Sequence, residues 1–498
     1  MMKPYDQDPG KNAETPNILL ISCDHLRMDW LRCNGHRFMQ TPQIDQLANE
    51  GVNFQAAFSS CPMCVPARRI MMTGQGRHAI GMNENHVNLP FTQGPKLAEV
   101  MTRAGYQTFA SGKLHTWPQR NRIGFEDVQL NEEGRTQDGT LKDDYEMFLA
   151  DQGYAHRAYT HGLGNNQYGY RPSPLPEHLT ATHWTAQKAM EFLDRRDPTR
   201  PFFLFASFDK PHPPMCPPPE YYDLYRDVVF DAPPMGEWTA EKTPARFKQL
   251  QAWQNYDDFK DNPEQMQQIF RAYAAMVTHI DSMIGTLLGS LQELRLRQNT
   301  HVIFTSDHGD HLFDHGNFGK SDFFRGSCGI PFIVSPARTW SKTHDFKPGQ
   351  IDTDHAVGLI DLMPTMLDLC GVDIPDAVEG QSAAPILLDA QAPFRSHICG
   401  DGIGAFAVSD GRSKYLWYSE DNIEFLFDVR NDPEECHDLS EDPAWQATLS
   451  EGRQRLITWL ETNNNPHVKD GELVPVADFD PNIESYRTSS IWNNRGRH

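Results

Sequence analysis

The residues able to do chemistry in this 498-residue chain gather at four places, each directly after a short apolar run. Asn17 to Ser22 leads into Cys23, Asp24 and His25, and Gln107 to Ser111 leads into Gly112, Lys113, Leu114 and His115. Phe202 to Phe208 leads into Asp209, Lys210, Pro211 and His212, and His301 to Ser306 leads into Asp307, His308 and Gly309. Carboxylates beside imidazoles suit a divalent cation, and lysines beside them suit an anionic ligand. A further stretch, Cys61-Pro62-Met63-Cys64-Val65-Pro66-Ala67-Arg68-Arg69, holds two cysteines at C-x-x-C spacing. That spacing alone reads as half of a zinc site, as a redox dithiol, or as two unreactive cysteines at the start of a helix. No second C-x-x-C stands in the chain, which weighs against zinc. Pro66 suits a first helical turn, which would set Cys64 beside exposed amides and the positive dipole end, where anions bind.

These clusters need a scaffold that brings them together. Apolar runs of this length, separated by long helical stretches, read as buried parallel strands of an α/β sheet flanked by helices. Ligands of such sheets bind at the carboxyl ends of the strands, where all four clusters fall. Thr41, Pro42 and Gly51 bracket a helix over 43–50 as N-cap, first-turn proline and C-terminal glycine. Ile269, Tyr273, Met276, Ile280, Ile284 and Leu287 predict a longer helix over about 264–296. The proline-rich stretch from Cys216 to Trp238 reads as a surface excursion beside a substrate cleft. Past residue 385 the texture changes to short runs over 405–409, 414–418 and 424–428, with Asp410-Gly411 as a turn, then a helix over 444–462. The expected division is a catalytic domain over 1–385 and a smaller domain over 386–498, with 463–498 as an extended arm.

The 45 lysines and arginines against 67 acidic residues leave a formal net charge of -22, which repels a phosphate backbone and argues against a nucleic-acid partner. No apolar run reaches membrane-spanning length, and the polar stretch from Met1 to Pro16 lacks the apolar core of a secretory signal. The expectation is a cytoplasmic protein with no membrane partner. Nine scattered cysteines do not form a disulfide framework, so free thiols are expected.

Cys64-x-Pro66-x-Arg68 resembles the C-x-P-x-R signature of the formylglycine-dependent sulfatases, members of the alkaline phosphatase superfamily. Its surroundings resemble that family in the same order: Asp24 after the first strand, Thr73-Gly74, Gly112-Lys113-x-His115, Pro211-His212-Pro213, Thr305-Ser306-Asp307-His308-Gly309 and Gly319-Lys320. Leu426-Phe427-Asp428 with Asn431-Asp432-Pro433-Glu434 resembles the family's closing motif. The resemblance implies an alkaline-phosphatase-like, mostly parallel sheet with a smaller C-terminal antiparallel α+β subdomain. It implies that a formylglycine-generating maturase oxidises Cys64 to an aldehyde. The hydrate then bears two hydroxyls on one carbon, one to attack sulfur and one to expel sulfate, whereas a plain hydroxyl would leave a sulfated side chain that water cleaves slowly.

Catalytic roles implied by the same resemblance fall on Cys64, Arg68, Lys113, His115, His212 and Lys320. The lysines bind sulfate oxygens, Arg68 and His115 support the hydrate, and His212 protonates the leaving alcohol. The implied metal ligands are Asp24, Asp307, His308 and position 64. Calcium is usual in such oxygen-rich sites, but His308, where many members have Asn, softens the donor set toward manganese or zinc. His25 stands where many members have Asp or Gln and reads equally as a ligand, a support behind one, or a substrate contact. Asn85 is a substrate contact or a loop cap, and Arg325 faces an anionic substrate or a neighbouring acid. Arg69 reads equally as a site residue or as a structural ion-pair residue, and His311, Asp314 and His315 are weaker candidates.

The expected reaction is hydrolysis of a small-molecule or saccharide sulfate ester, a sugar or aryl sulfate, to alcohol and inorganic sulfate. A phosphonate monoester or phosphodiester hydrolase of the same superfamily is the alternative, against which Gly112-Lys113-x-His115 speaks. A non-catalytic anion-binding paralogue, with Cys64 unmodified, is the third reading. A homo-oligomer is compatible with all three.

Overall fold

The computed structural model describes residues 15–475, apart from 83–84, 86–88, 92–93, 135–141 and 255. Eight strands build the main sheet: β1 (Asn17–Asp24), β2 (Val52–Phe54), β3 (Gln107–Gly112), β4 (Asp127–Leu130), β5 (Phe202–Pro211), β6 (Thr300–Ser306), β7 (Phe332–Ser335) and β8 (Gln350–Asp352). Their order is β4-β3-β5-β1-β6-β7-β2-β8, and every pairing is parallel except those of β7. Along β1, Ile18 and Leu20 enter one core while Leu19 and Ile21 enter the other, so both faces are covered. Double coverage is why these strands read as unbroken apolar runs. The register pairs Ser22 with Ser207 and with Thr305, and Gly112 with Ser207, so β3, β5, β1 and β6 end side by side. All four reactive clusters therefore emerge along one sheet edge.

The long helix runs from Pro263–Glu293, three residues short of the expected end, and Arg295 just beyond it takes φ +58°, which no helix tolerates. The helix Pro42–Glu50 forms as expected, but Thr41 is not its side-chain cap; its hydroxyl donates to Asp45 Oδ1 at 3.1 Å. Asp281 of the long helix caps it instead, accepting from Gln43 N at 3.0 Å and Ile44 N at 2.8 Å. We expect Asp281→Ala to cost about 1–2 kcal/mol, the worth of a lost N-cap, read as a lowered midpoint of chemical denaturation. An unmoved midpoint would show that the helix starts without this cap.

A second, antiparallel sheet comprises β9 (Ile398–Asp401), β10 (Ala405–Ser409), β11 (Ser413–Tyr418) and β12 (Ile423–Asp428) in the order β12-β11-β10-β9. Asp410-Gly411 makes the expected turn, with Gly411 at φ +80°. The strand β9 had no sequence signal, being four residues long and interrupted by Gly400. One face of this sheet packs on the helix Gln446–Thr462 through Phe406, Val408, Tyr415 and Trp417. The other face packs through Ala407, Leu416 and Phe427 on Phe323, Phe324 and Cys328, in the loop and short helix Arg325–Cys328 that follow Lys320. The expected division at 385 falls inside the helix Ala384–Leu388, whose Ile386 and Leu387 pack in the main core.

The excursion after Cys216 carries the helix Pro219–Asp223 and returns against the 311–318 loop, where His315 N donates to Pro234 O at 2.8 Å. In the expected C-terminal arm, Val468–Lys469 and Glu472–Leu473 form a short hairpin, and 476–498 lie outside the described residues. None of the nine cysteines is paired in a disulfide. No helix among the described residues is long and apolar enough to cross a membrane.

Candidate active site

The end of β1 is bent by His25, which adopts φ +67°. Tyr273 of the long helix holds that turn, donating its hydroxyl to His25 O at 2.6 Å and accepting from Arg27 N at 3.0 Å. Ser306, the last residue of β6, accepts from Leu26 N at 3.0 Å and donates to Cys23 O at 3.0 Å, which locks the Asp24 and Asp307 corners together. Cys64 is the first residue of the wholly buried helix Cys64–Thr73, which has no side-chain cap of its own. Asn85 supplies one from outside, accepting from Val65 N at 3.0 Å, so the structure gives Asn85 the capping role.

Around Cys64 Sγ stand Lys320 Nζ at 2.6 Å, His308 Nε2 at 3.3 Å and Asp24 Oδ1 at 3.6 Å. Arg68, one turn along, spans the two acids: Nε donates to Asp307 Oδ2 at 3.0 Å and a terminal nitrogen reaches Asp24 Oδ2 at 3.4 Å. Its other terminal nitrogen donates to Lys113 O at 2.8 Å and Ser207 Oγ at 2.9 Å. Lys113 Nζ bridges Asp24 Oδ2 at 2.5 Å and Glu133 Oε2 at 2.7 Å. Burial alone would raise the Asp24 carboxyl, but the Lys113 ammonium and the Arg68 guanidinium hold it well below the usual carboxylate range, so it is ionised.

His308 shows that this group fits a metal. Its Nδ1 lies 2.9 Å from Gly309 O, a carbonyl that only accepts, so Nδ1 carries the hydrogen. Burial brings its pKa down to about 4, so the ring is neutral and Nε2 presents a lone pair. That lone pair lies 3.6 Å from both Asp24 Oδ1 and Asp307 Oδ1. Donor atoms of Asp24, Cys64, Asp307 and His308 all lie within 4.8 Å of one another, close enough to converge on one ion. Two carboxylates and one imidazole are a mixed oxygen and nitrogen donor set for a divalent ion.

Three histidines complete the group. His25 stands edge-on between the rings of His212 and His308, 4.4 Å from each. Its Nδ1 meets Asp310 Oδ2 at 3.1 Å and its Nε2 meets Lys320 Nζ at 2.5 Å. His212 is fully buried, which keeps its pKa well below the ordinary imidazole value; Nδ1 lies 2.7 Å from Pro213 O, and Nε2 has no hydrogen-bond partner among the described residues. His115, at φ +57°, is held by its backbone N–H on Glu132 Oε1 at 3.0 Å, and its ring lines a small cavity with Arg68 and Phe91.

Other candidates face elsewhere. Arg325 turns to the C-terminal part, its guanidinium on Pro433 O at 3.3 Å and its backbone N–H on Glu435 Oε2 at 2.7 Å. Arg69 lies over the Phe91 ring and donates to Leu89 O. Behind the site, His311 pairs with Asp322 at 2.8 Å, Asp314 with Arg27 at 2.7 Å, and His315 Nδ1 accepts from Gly236 N at 3.1 Å. Sequence reasoning passed over Glu133, Ser207, Asp310 and Tyr168. Only Asp310 carried a signal, two residues after His308.

Residues 16–372 match the family model for sulfatases. The chain belongs to the sulfatase family. Residues 313–462 of this sulfatase also match the model described as N-sulphoglucosamine sulphohydrolase, C-terminal. It is 32% identical over 475 residues to an arylsulfatase of Clostridium perfringens, covering 92% of this chain and 97% of that one. A solved phosphonate monoester hydrolase of Agrobacterium radiobacter superposes with TM-score 0.74 at 23% identity, covering 90% of this chain and 96% of that one. A structure described as a complex with its substrate D-glucosamine-2-N,6-O-disulfate superposes with TM-score 0.71 at 20% identity, covering 92% and 100%. The sulfatase is an enzyme of the sulfuric ester hydrolase class with the alkaline-phosphatase-like architecture.

Proposed function

We propose that this sulfatase hydrolyses an aryl or sugar sulfate ester to the alcohol and inorganic sulfate. The observation that carries this reading is the placement of Cys64, at a buried helix start between Lys320 and the converging Asp24, Asp307 and His308 donors. The arylsulfatase relative supports the aryl class, and the disulfated glucosamine complex supports the sugar class.

Position 64 is proposed to be converted to formylglycine by a maturase, supplying a carbon with two hydroxyls for attack on sulfur and release of sulfate. Asp24, Asp307, His308 and position 64 would hold the metal, calcium first and manganese or zinc next; when bound it supplies Lewis-acid polarisation and a more acidic nucleophile. Lys320, against Cys64 Sγ, and Lys113, on Asp24, are the buried lysines of the site and bind the sulfate oxygens. Arg68 ties the Asp24 and Asp307 carboxylates together by donating to both. Pro213 O fixes the His212 ring so that Nε2 faces the site, and Glu133 Oε1, 3.6 Å from Nδ1, favours its cationic form once an anionic ester lies beside it. In that form Nε2–H protonates the leaving oxygen. Asn85, by capping the helix, and His115, beside Arg68, hold the segment that presents position 64.

The phosphonate monoester hydrolase fold match and the Asp307-His308 pair favour a second reading, phosphonate ester hydrolysis. Comparing kcat/KM for an aryl sulfate and an aryl phosphonate monoester separates the two, with the sulfate expected to be preferred and a preference for phosphonate overturning the proposal. Peptide mass tests the anion-binding reading: formylglycine has lost sulfur and two hydrogens and gained oxygen, whereas a paralogue keeps its thiol. Dialysis against a chelator is expected to abolish turnover, and calcium to restore it at one ion per chain. Full activity with no bound metal would sink the metal assignment.

A further inference from the structure

Lys320 is presented on a strained stretch of backbone. Gly319 before it takes φ +83° and Ser321 after it takes φ +91°, a region that a residue with a Cβ rarely adopts. Such a conformation persists only where the surroundings over-determine it. Before Lys320 the ties are local, with His311 N donating to Gly319 O at 2.8 Å and Gly319 N donating to Asp310 Oδ1 at 2.8 Å. After it, they come from the second sheet and the segment beyond that sheet. Lys414 of β11 donates to Phe323 O at 2.7 Å and pairs with Glu435, whose Oε2 accepts from Arg325 N at 2.7 Å. Glu435 O accepts from Trp238 Nε1 at 2.9 Å, and the Trp238 ring stacks on Phe324 with centroids 4.7 Å apart. Phe323 packs so closely on β9 that no Cβ fits at Gly400.

Lys414 and Glu435 are 4% and 0% exposed. A lysine and a glutamate taken out of water are a poor device for stability alone, since apolar residues of similar volume often hold a fold as well without the desolvation. What this pair does that apolar side chains do not is bond two particular backbone groups, Phe323 O and Arg325 N. On the opposite side of the same loop, Ser327 O accepts from Gly309 N and Cys328 O accepts from Ser59 N, both at 2.8 Å. Residues 321–328 are therefore clamped between the catalytic sheet edge and the second sheet. We infer that Lys414 and Glu435 are positioning residues for anion binding: by fixing the backbone just past Ser321 they sustain its strained turn, and so hold Lys320 Nζ 2.6 Å from Cys64 Sγ. Arg325 serves this arrangement through its backbone N–H.

The inference rests on the proposed role of Lys320 toward a substrate anion, so its test reads anion affinity and does not depend on which ester is cleaved. The dissociation constant of inorganic sulfate is measured by calorimetry on mass-verified, metal-loaded enzyme, with metal content determined for each variant. Lys414→Met is expected to weaken sulfate roughly 3–30-fold, because it withdraws the bond to Phe323 O and leaves Glu435 without its cation. In a Lys320→Ala background the same change is expected to add less than about twofold, since the group that the loop presents is gone. Equal losses in both backgrounds would show a merely structural role and overturn the inference, as would unchanged affinity in the single variant. Where Lys414→Met fails to fold or loses metal, Glu435→Gln decides by the same cycle, with a loss of roughly 2–10-fold expected, because its amide oxygen still accepts from Arg325 N while the charge facing Lys414 is gone. A preference for phosphonate esters would overturn the proposed function while leaving this coupling to stand or fall by itself.

Discussion

Cys64→Ala is expected to lower turnover of an aryl sulfate by roughly 10⁵–10⁶-fold, the scale of losing a covalent nucleophile that acts with its partners as a unit. The fold should survive, because alanine is a strong helix former at a helix start and the change removes a single buried sulfur from the Cys64–Thr73 helix. Circular dichroism and a thermal melt beside the kcat measurement separate loss of chemistry from loss of structure. Cys64→Ser sharpens the test: one hydroxyl can accept the sulfuryl group but has no twin to expel it, so a single stoichiometric burst of alcohol is expected. Sustained turnover by either variant would exclude covalent catalysis at this position.

His212→Ala should divide substrates by leaving group. General acid catalysis contributes about 10²–10⁴-fold where the departing oxygen is strongly basic and little where it is not. Alkyl sulfates should therefore lose turnover by about that factor, and nitrophenyl sulfate far less. The rate plotted against leaving-group pKa across substituted phenyl sulfates becomes steeper in the variant. The structural basis is the ring's fixed direction, with Nδ1 on Pro213 O and Nε2 unspent. Equal losses across the series would leave His212 a structural part of the site.

Much of this site was legible before any coordinates. Asp24, Lys113, His212, Asp307 and His308 each follow an apolar run, and the structure brings them to one sheet edge around Cys64. The hairpin at Asp410-Gly411 was legible for a local reason too, since turn chemistry is written in adjacent residues. Asn85 and Arg325 were not decided by sequence, because a polar side chain on a loop can face a ligand or its own fold with equal ease. Here the first caps Val65 and the second turns to Pro433. Likewise Thr41 carried the local cap signal, and Asp281, from a helix 237 residues away, took the role.

The amino-acid sequence alone determined that β1, β3, β5 and β6 are strands, because burial on both faces demands continuous apolar runs, and which residue types end them. It also carried the cysteine motif, whose spacing lies within one helical turn. Tertiary structure alone decided that Arg68 binds two carboxylates, that Lys113 bridges Asp24 and Glu133, and that Tyr168 meets Asp310 across 142 residues. Those contacts depend on strand order and register, which arise from packing summed over the whole sheet, and no local pattern of residues encodes such a sum.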